Sequence, residues 1–134
     1  MLTRDAILAA AAVAAAGLPF EYVDVPELGG QVRVQGRTGT QRDEWESSLI
    51  IGRGKRRDVN TKNVRAKLAV RSLVDEAGVR LFTEADADVL GQLSAIVLDR
   101  IYAAAQRVNG VRDEDVDELG KSSGAAAGSG SPTN

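Results

Sequence analysis

The side chains best equipped for chemistry are carboxylates, grouped as Glu84, Asp86 and Asp88 and again as Asp113, Glu114, Asp115, Asp117 and Glu118. Closely spaced acids can exchange protons with a substrate or hold a divalent cation. The first group has the opening spacing of a calcium loop, which needs Gly at its sixth position and Glu at its twelfth. Counting from Asp86 reaches Gly91 but then Val97, and counting from Glu84 gives Val89 and Ala95. Neither frame is a calcium loop. Acids at helix starts stabilise the helix dipole, and that is the role expected of both groups. The chain contains no His and no Cys. It therefore lacks the usual imidazole base, the thiolate nucleophile and any metal site built on nitrogen or sulfur. An enzyme is not expected, nor is a cofactor or a disulfide framework.

Charge is distributed very unevenly. Residues 53–71 hold eight Lys and Arg against one acid, Asp58, a net +7; the whole chain sums to −2, which leaves −9 for the remainder. Opposed surface fields steer partners and fix their orientation, so a binding protein is the first expectation. The run Arg53-Gly54-Lys55-Arg56-Arg57 could hold phosphate through counterion release. No aromatic residue lies between Trp45 and Phe82 to stack a base, and the acidic remainder would repel a polyanion. Acidic protein partners are favoured over nucleic acid. The segment Gly52-Arg53-Gly54-Lys55 is not a P-loop, which requires a longer Gly-bounded turn between a buried strand and a helix. The interaction surface chosen from sequence is Trp45, Leu49, Arg53, Lys55, Arg56 and Arg57; the competing reading puts Trp45 and Leu49 in the core.

These residues need elements to carry them. Phe20 to Val25 alternates, with Phe20, Tyr22 and Val25 set against Glu21 and Asp24, and Pro26 ends the run. After Leu28-Gly29-Gly30, the stretch Gln31–Gln35 alternates again, so a β-hairpin is expected near 20–36. A lone hairpin is marginal in water and must lie on helices or on another chain's sheet edge. From Thr40, a capping residue with Asp43 three positions on, Trp45, Leu49 and Ile50 make a helical stripe that Gly52 and Gly54 break. Asn60 or Thr61 is expected to cap the next helix, with Val64 and Leu68 on one side and Leu73 and Val74 nearby. Asp75–Gly78 reads as a tight turn, Val79–Phe82 as a short extended piece, and Thr83 with Asp86 as another helix start. Leu90, Leu93, Val97, Leu98, Ile101 and Tyr102 recur at spacings of three and four, divided at Gly91 and Ser94 and stopped at Asn109-Gly110. A last acidic helix carries Val116 and Leu119.

The expected fold is α+β and predominantly helical: an N-terminal β-hairpin packed on a bundle of about four to five short helices. Residues 1–120 form one domain, and residues 121–134, rich in Gly, Ser and Ala, form a disordered tail or linker. Twenty residues are Ala and only five are aromatic, so the core is thin and self-association into oligomers could complete it. Ala6–Ala16 contains eight Ala, with only Ile7, Leu8 and Val13 larger, and Asp5 cancels Arg4. That reads as a short helix capped by Thr3 and stopped by Gly17 rather than an export signal. Nothing approaches the roughly 18 apolar residues of a membrane span. The cytoplasm is the expected compartment.

In order and spacing, these segments resemble the tail assembly chaperone family of long-tailed, siphovirus-type bacteriophages and prophages, especially those of actinobacteria. The resemblance rests on LTRDAILAA at 2–10, VDVPELGGQVRVQGRTGTQRDEWESSL at 23–49 and GRGK at 52–55. It continues through NVRAKLAVRSLVDEAGVRLFTEADADVLGQLS at 63–94 and LDRIYAAAQRVNGVRDEDVDEL at 98–119. The Ala-rich stretch around Ala10–Ala16 departs from it. The resemblance implies a non-enzymatic assembly factor that binds the long tape-measure protein, keeps it soluble, helps recruit the major tail (tube) protein, and is absent from the mature virion. It carries over no universal functional residues. The rival readings are a nucleic-acid-associated phage protein using residues 53–71 and a structural tail component.

Overall fold

Two prolines delimit the first strand. Pro19 and Pro26 flank Phe20–Val25 (β1), and a 3-10 turn over Pro26–Leu28, closed by Gly29 at φ 85°, reverses the chain into Gly30–Gln35 (β2). The computed structural model describes residues 1–52, 58–60 and 62–119. Helix Arg4–Ala12 (α1) precedes the hairpin, and Gly39–Ser48 (α2), Ile50–Ile51 (β3), Asp58–Val59 (β4), Val64–Ser72 (α3) and Leu73–Val74 (β5) follow it. Ala87–Leu90 (α4), Ala95–Asn109 (α5) and a helix over residues 113–119 (α6) complete an α+β, mostly helical architecture. The expected 53–57 loop, Thr61 as a cap and the 121–134 tail lie outside the described residues.

The hairpin is not alone. β2 pairs antiparallel with β5, Val34 opposite Leu73, giving a sheet in the order β1-β2-β5. Leu73 and Val74 thus leave the helical stripe that their spacing suggested. β3 and β4 form a separate two-stranded ribbon, Ile50 opposite Val59, which takes Ile50 off α2. The far side of β5 is covered by the chain that returns after the Asp75–Gly78 turn: Val74 bridges Arg80, and Leu81 N donates to Leu73 O at 3.1 Å.

One face of the sheet packs on the helices. Val23, Val25, Val34 and Leu73 join Ala66, Leu68 and Ala69 of α3 and Ile101, Ala104 and Ala105 of α5 in a single buried cluster. Small buried alanines let the backbones approach closely, which yields a core with little apolar area per residue. Gly36 shows how close: a Cβ there would collide with the carbonyl oxygen of Val108. Trp45 and Leu49, 1% and 0% exposed, are among the largest side chains in this cluster.

Local caps fix the helix starts. Thr3 Oγ1 accepts from Ala6 N (3.2 Å), Ser94 Oγ accepts from Val97 N (3.2 Å), and Asp86 Oδ2 accepts from Thr83 N (2.8 Å). The cap of α2 stands two residues before Thr40: Thr38 caps it, and the N3 side chain that answers is Gln41, with Thr38 N donating to its Oε1 at 2.9 Å. Asn63 stands at the N-cap position of α3 at φ 59°, a left-handed conformation that Asn tolerates, without a side-chain capping bond; Asn60, the expected cap, instead accepts from Lys62 N. Gly110 at φ 65° stops α5. α1 ends at Ala12 and passes into a 3-10 turn, Ala14–Gly17, before the hairpin.

Candidate functional site

Two of the residues singled out from sequence are core rather than surface. Trp45 and Leu49 are buried, so neither is presented to a partner in this state, and Arg53, Lys55, Arg56 and Arg57 lie outside the described residues. The rest of the basic segment is largely engaged within the fold. Arg65 pairs with Asp99 at 2.8 Å, and Lys67 Nζ donates to Ser48 O at 3.2 Å. Arg71 is only 9% exposed and places Nε 2.8 Å from a Glu84 carboxylate oxygen, with Glu44 at 3.5 Å from Nη1. The Nε contact is an ion pair by distance but too bent to be a hydrogen bond.

The carboxylates are similarly committed. Asp86 caps, Asp88 accepts from Asn63 Nδ2 (2.6 Å), Asp113 accepts from Gln106 Nε2 (2.8 Å), and Asp115 accepts from Arg112 N (2.8 Å). No group of acids among the described residues is arranged to hold a metal. A groove of about 510 Å³ between α3, α5 and α6 is lined by Arg65, Asp99, Tyr102, Asp113, Val116 and Asp117. Burial, followed by the nearby Asp113 charge, raises the Tyr102 phenol above its usual range. That makes it a poorer proton donor, not an activated one.

A different surface carries unpartnered apolar side chains. Period two sends Val23 and Val25 to the inner face of β1 and Phe20 and Tyr22 to the outer face, where they are 47% and 48% exposed. Grouping Phe20 and Tyr22 with Val25, as the composition of the run suggests, crosses the pleat. Arg33, directly opposite Tyr22 on β2, lays its guanidinium 3.8 Å over the Phe20 ring and 5.9 Å from Tyr22. The two rings meet edge to face, with centroids 5.7 Å apart. Such cation–π and aromatic contacts are each worth about 0.5–1.5 kcal/mol.

Arg33 also donates to Tyr22 Oη (3.4 Å), Glu76 O (3.3 Å) and Gln35 Oε1 (3.2 Å), which fixes the outer face against the Asp75–Gly78 turn. Its Nε is buried without a hydrogen-bond partner among the described residues. Beside it, a groove of about 420 Å³ runs between Tyr22, Val32, Val74 and Leu81. Leu81, which lines it, is exposed. Sequence reasoning missed this face because aromatic residues in a strand read as core; the signal was the parity of Phe20 and Tyr22 against Val23 and Val25.

A second unpartnered element is α1. None of its residues is buried, and Leu2, Ile7, Leu8 and Val13 are all exposed. On the hairpin's other flank, two ion pairs hold the sheet to α5. Arg107 binds the Glu21 carboxylate at 2.8 Å, and Arg100 grips both oxygens of Glu27 at 2.7 and 2.9 Å. The Arg100 hydrogen bonds, helped by Glu27's own backbone amide, hold the Glu27 carboxyl down at about 2. Hydrogen bonding from Arg107 lowers Glu21 in the same way. No described helix is long and apolar enough to cross a membrane. The chain matches no protein-family model, no curated protein and no solved structure.

Proposed function

We propose that this chain is a tail assembly chaperone of a long-tailed phage or prophage. It binds the tape-measure protein in the host cytoplasm, keeps it soluble, helps recruit tail-tube subunits, and is left out of the mature virion. The reading draws on the ordered sequence resemblance across residues 2–119. The structural observation that supports it best is the outer sheet face, where Phe20 and Tyr22 stay exposed and a groove lined by Tyr22 and the exposed Leu81 lies alongside, on a domain whose core is small. Exposed apolar patches of this kind mark places where other polypeptides are held. Of the acids that sequence spacing offered for catalysis, Asp86, Asp88, Asp113 and Asp115 serve caps and hydrogen bonds, which favours a binding role over chemistry.

The nucleic-acid reading loses support from the same geometry, because Arg65, Lys67 and Arg71 are turned to internal partners rather than aligned for phosphates. Co-expression with the tape-measure protein tests the proposal. The client is expected in the soluble fraction with the native chain and in the pellet with the Phe20→Ser, Leu81→Ser double variant. A client that stays insoluble beside the native chain would overturn the reading. So would recovery of this chain from purified virions by mass spectrometry, which would make it a structural tail component.

A further inference from the structure

The open side of β1 has a definite hydrogen-bonding parity. Gly36 N donates to Pro19 O at 2.8 Å, which continues the β1–β2 register outward by one pair. Hydrogen-bonded pairs alternate along an antiparallel ladder, so Glu21, Val23 and Val25 spend their backbone groups on β2. Phe20, Tyr22 and Asp24 therefore aim theirs away from the sheet. β1 is an outer strand, and no strand covers that side among the described residues. The other margin of this sheet, at β5, is closed by Val79–Leu81. Among the described residues, the hydrogen bond found on the open side is a 3.5 Å contact from Arg100 Nη1 to Asp24 O, and Arg100 is held chiefly by Glu27.

We infer that a second copy of this chain occupies this edge, β1 against β1, as a two-fold dimer centred on Tyr22. An antiparallel strand must match outer face to outer face, which restricts the register to a few choices. With Tyr22 opposite the partner's Tyr22, Phe20 falls opposite the partner's Asp24, and all three outward-facing residues pair, giving about six main-chain hydrogen bonds. Sliding one step places Glu21 against the partner's Glu21, two like charges at the closest cross-strand spacing, and loses a pair. Sliding the other way also loses a pair and brings Pro26, which has no N–H, opposite Phe20. In the centred register Glu21 faces the partner's Val23, and the aromatic faces of the two sheets become continuous.

The same register gives α1 a place to go. Antiparallel pairing points the chain before Phe20 toward the partner's Pro26–Leu28 turn, where Leu28 is 56% exposed. A nine-residue helix with no buried residue is marginal in water, and its Ile7 and Leu8, with Val13 just after it, need cover. The dimer is a property of the purified chain and does not depend on the chaperone reading, so the two can fail separately.

Cysteine scanning tests it, since the native chain has no Cys. In a hydrogen-bonded antiparallel pair the Cα atoms lie about 5.5 Å apart, within disulfide span. Tyr22→Cys is expected to give a covalent dimer on mild oxidation at micromolar concentration, and Glu21→Cys, which faces the partner's Val23, is not. Amide exchange on the native chain supplies a second measurement that needs no variant. Protection at Phe20, Tyr22 and Asp24 should rise with protein concentration, while Glu21, Val23 and Val25 are protected throughout. Tyr22→Pro removes an outward-facing N–H along with the ring and its contacts to Phe20 and Arg33, so Tyr22→Ala is its control; the Pro variant is expected to associate about tenfold or more weakly than the Ala variant while keeping the fold. Equal cross-linking at positions 21 and 22 would overturn the inference. So would sedimentation as a monomer at all concentrations with the Phe20, Tyr22 and Asp24 amides always exchanging.

Discussion

Asn109 Nδ2 lies 3.1 Å from Ser72 Oγ and joins the last residue of α5 to the last residue of α3. The same amide nitrogen donates to Ala105 O (2.8 Å), and Asn109 Oδ1 accepts from Arg37 N (2.8 Å) just after β2. One side chain thus ties the two core helices to the exit of the hairpin. Ser72 is fully buried, so Asn109→Leu strands its hydroxyl as well as the Arg37 N–H. A loss of about 1–3 kcal/mol is expected in urea unfolding, equivalent to several degrees in Tm. An unchanged midpoint would mean that this junction does not form in solution.

Two glycines near each other in sequence should respond in opposite directions. Gly36→Ala drives a methyl into the carbonyl of Val108, where backbone must move, and is expected to cost about 1–3 kcal/mol. Gly39 opens α2 with free space around it and ordinary backbone angles. Gly39→Ala should be neutral or stabilising by up to about 1 kcal/mol. Thermal melts of the pair check both signs at once.

Trp45 is the chain's single tryptophan and is almost wholly buried, with its indole N–H unpartnered among the described residues. Its contribution is therefore volume rather than hydrogen bonding. Trp45→Ala is expected to cost about 3–5 kcal/mol, enough to threaten the fold of so lean a core. Trp45→Phe should cost clearly less, because it gives up no made hydrogen bond. Calorimetry separates the two, and a Phe variant as damaged as the Ala variant would show that the N–H has a partner in solution.

The Arg100–Glu27 pair predicts a pH window. Glu27 sits at about 2 in the folded chain against 4.5 as its ordinary value. A depressed carboxyl contributes its stability fully above the ordinary value and loses it as pH falls toward the folded one. Glu21, lowered by Arg107, acts in the same sense. Glu27→Gln should accordingly lie below the native chain by a constant margin above pH 5, and the margin should close between about pH 4.5 and 2. The pair is exposed, so the margin is modest. Urea titrations followed by Trp45 fluorescence at neutral and acidic pH measure it, and a gap that persists at pH 2 would contradict the assignment.

The legible parts of the fold are those with a short-range device. Thr3, Thr83 with Asp86, Ser94 and Gly110 each act within a few residues of themselves, and each cap stands where spacing put it. Thr38 and Thr40 were both able to start α2; the reciprocal bond from Gln41 decides for Thr38, a contact that spacing to Asp43 obscured. β5 was not readable, because Leu73 and Val74 continue the apolar rhythm of α3. Their partners, Arg33 and Val34, lie far away in sequence. The stripe of Trp45 and Leu49 marked an apolar face correctly but not what covers it. That is settled by elements elsewhere in the chain, α3 among them, not by α2 itself. The exposed Phe20 and Tyr22 were hidden for the converse reason, since aromatic content outweighed parity.

The pairing of Val34 with Leu73 spans 39 residues, and this sets a sequence of events at birth. As the polypeptide emerges from the ribosome, the hairpin can close from local contacts alone. The residues that finish its second margin have not yet been translated. Throughout that interval β2 as well as β1 offers bare backbone to its surroundings, and the nascent N-terminal third is the most adhesive stage in the life of the chain. Completion of β5 then retires one margin of this sheet and leaves β1 as its open edge among the described residues.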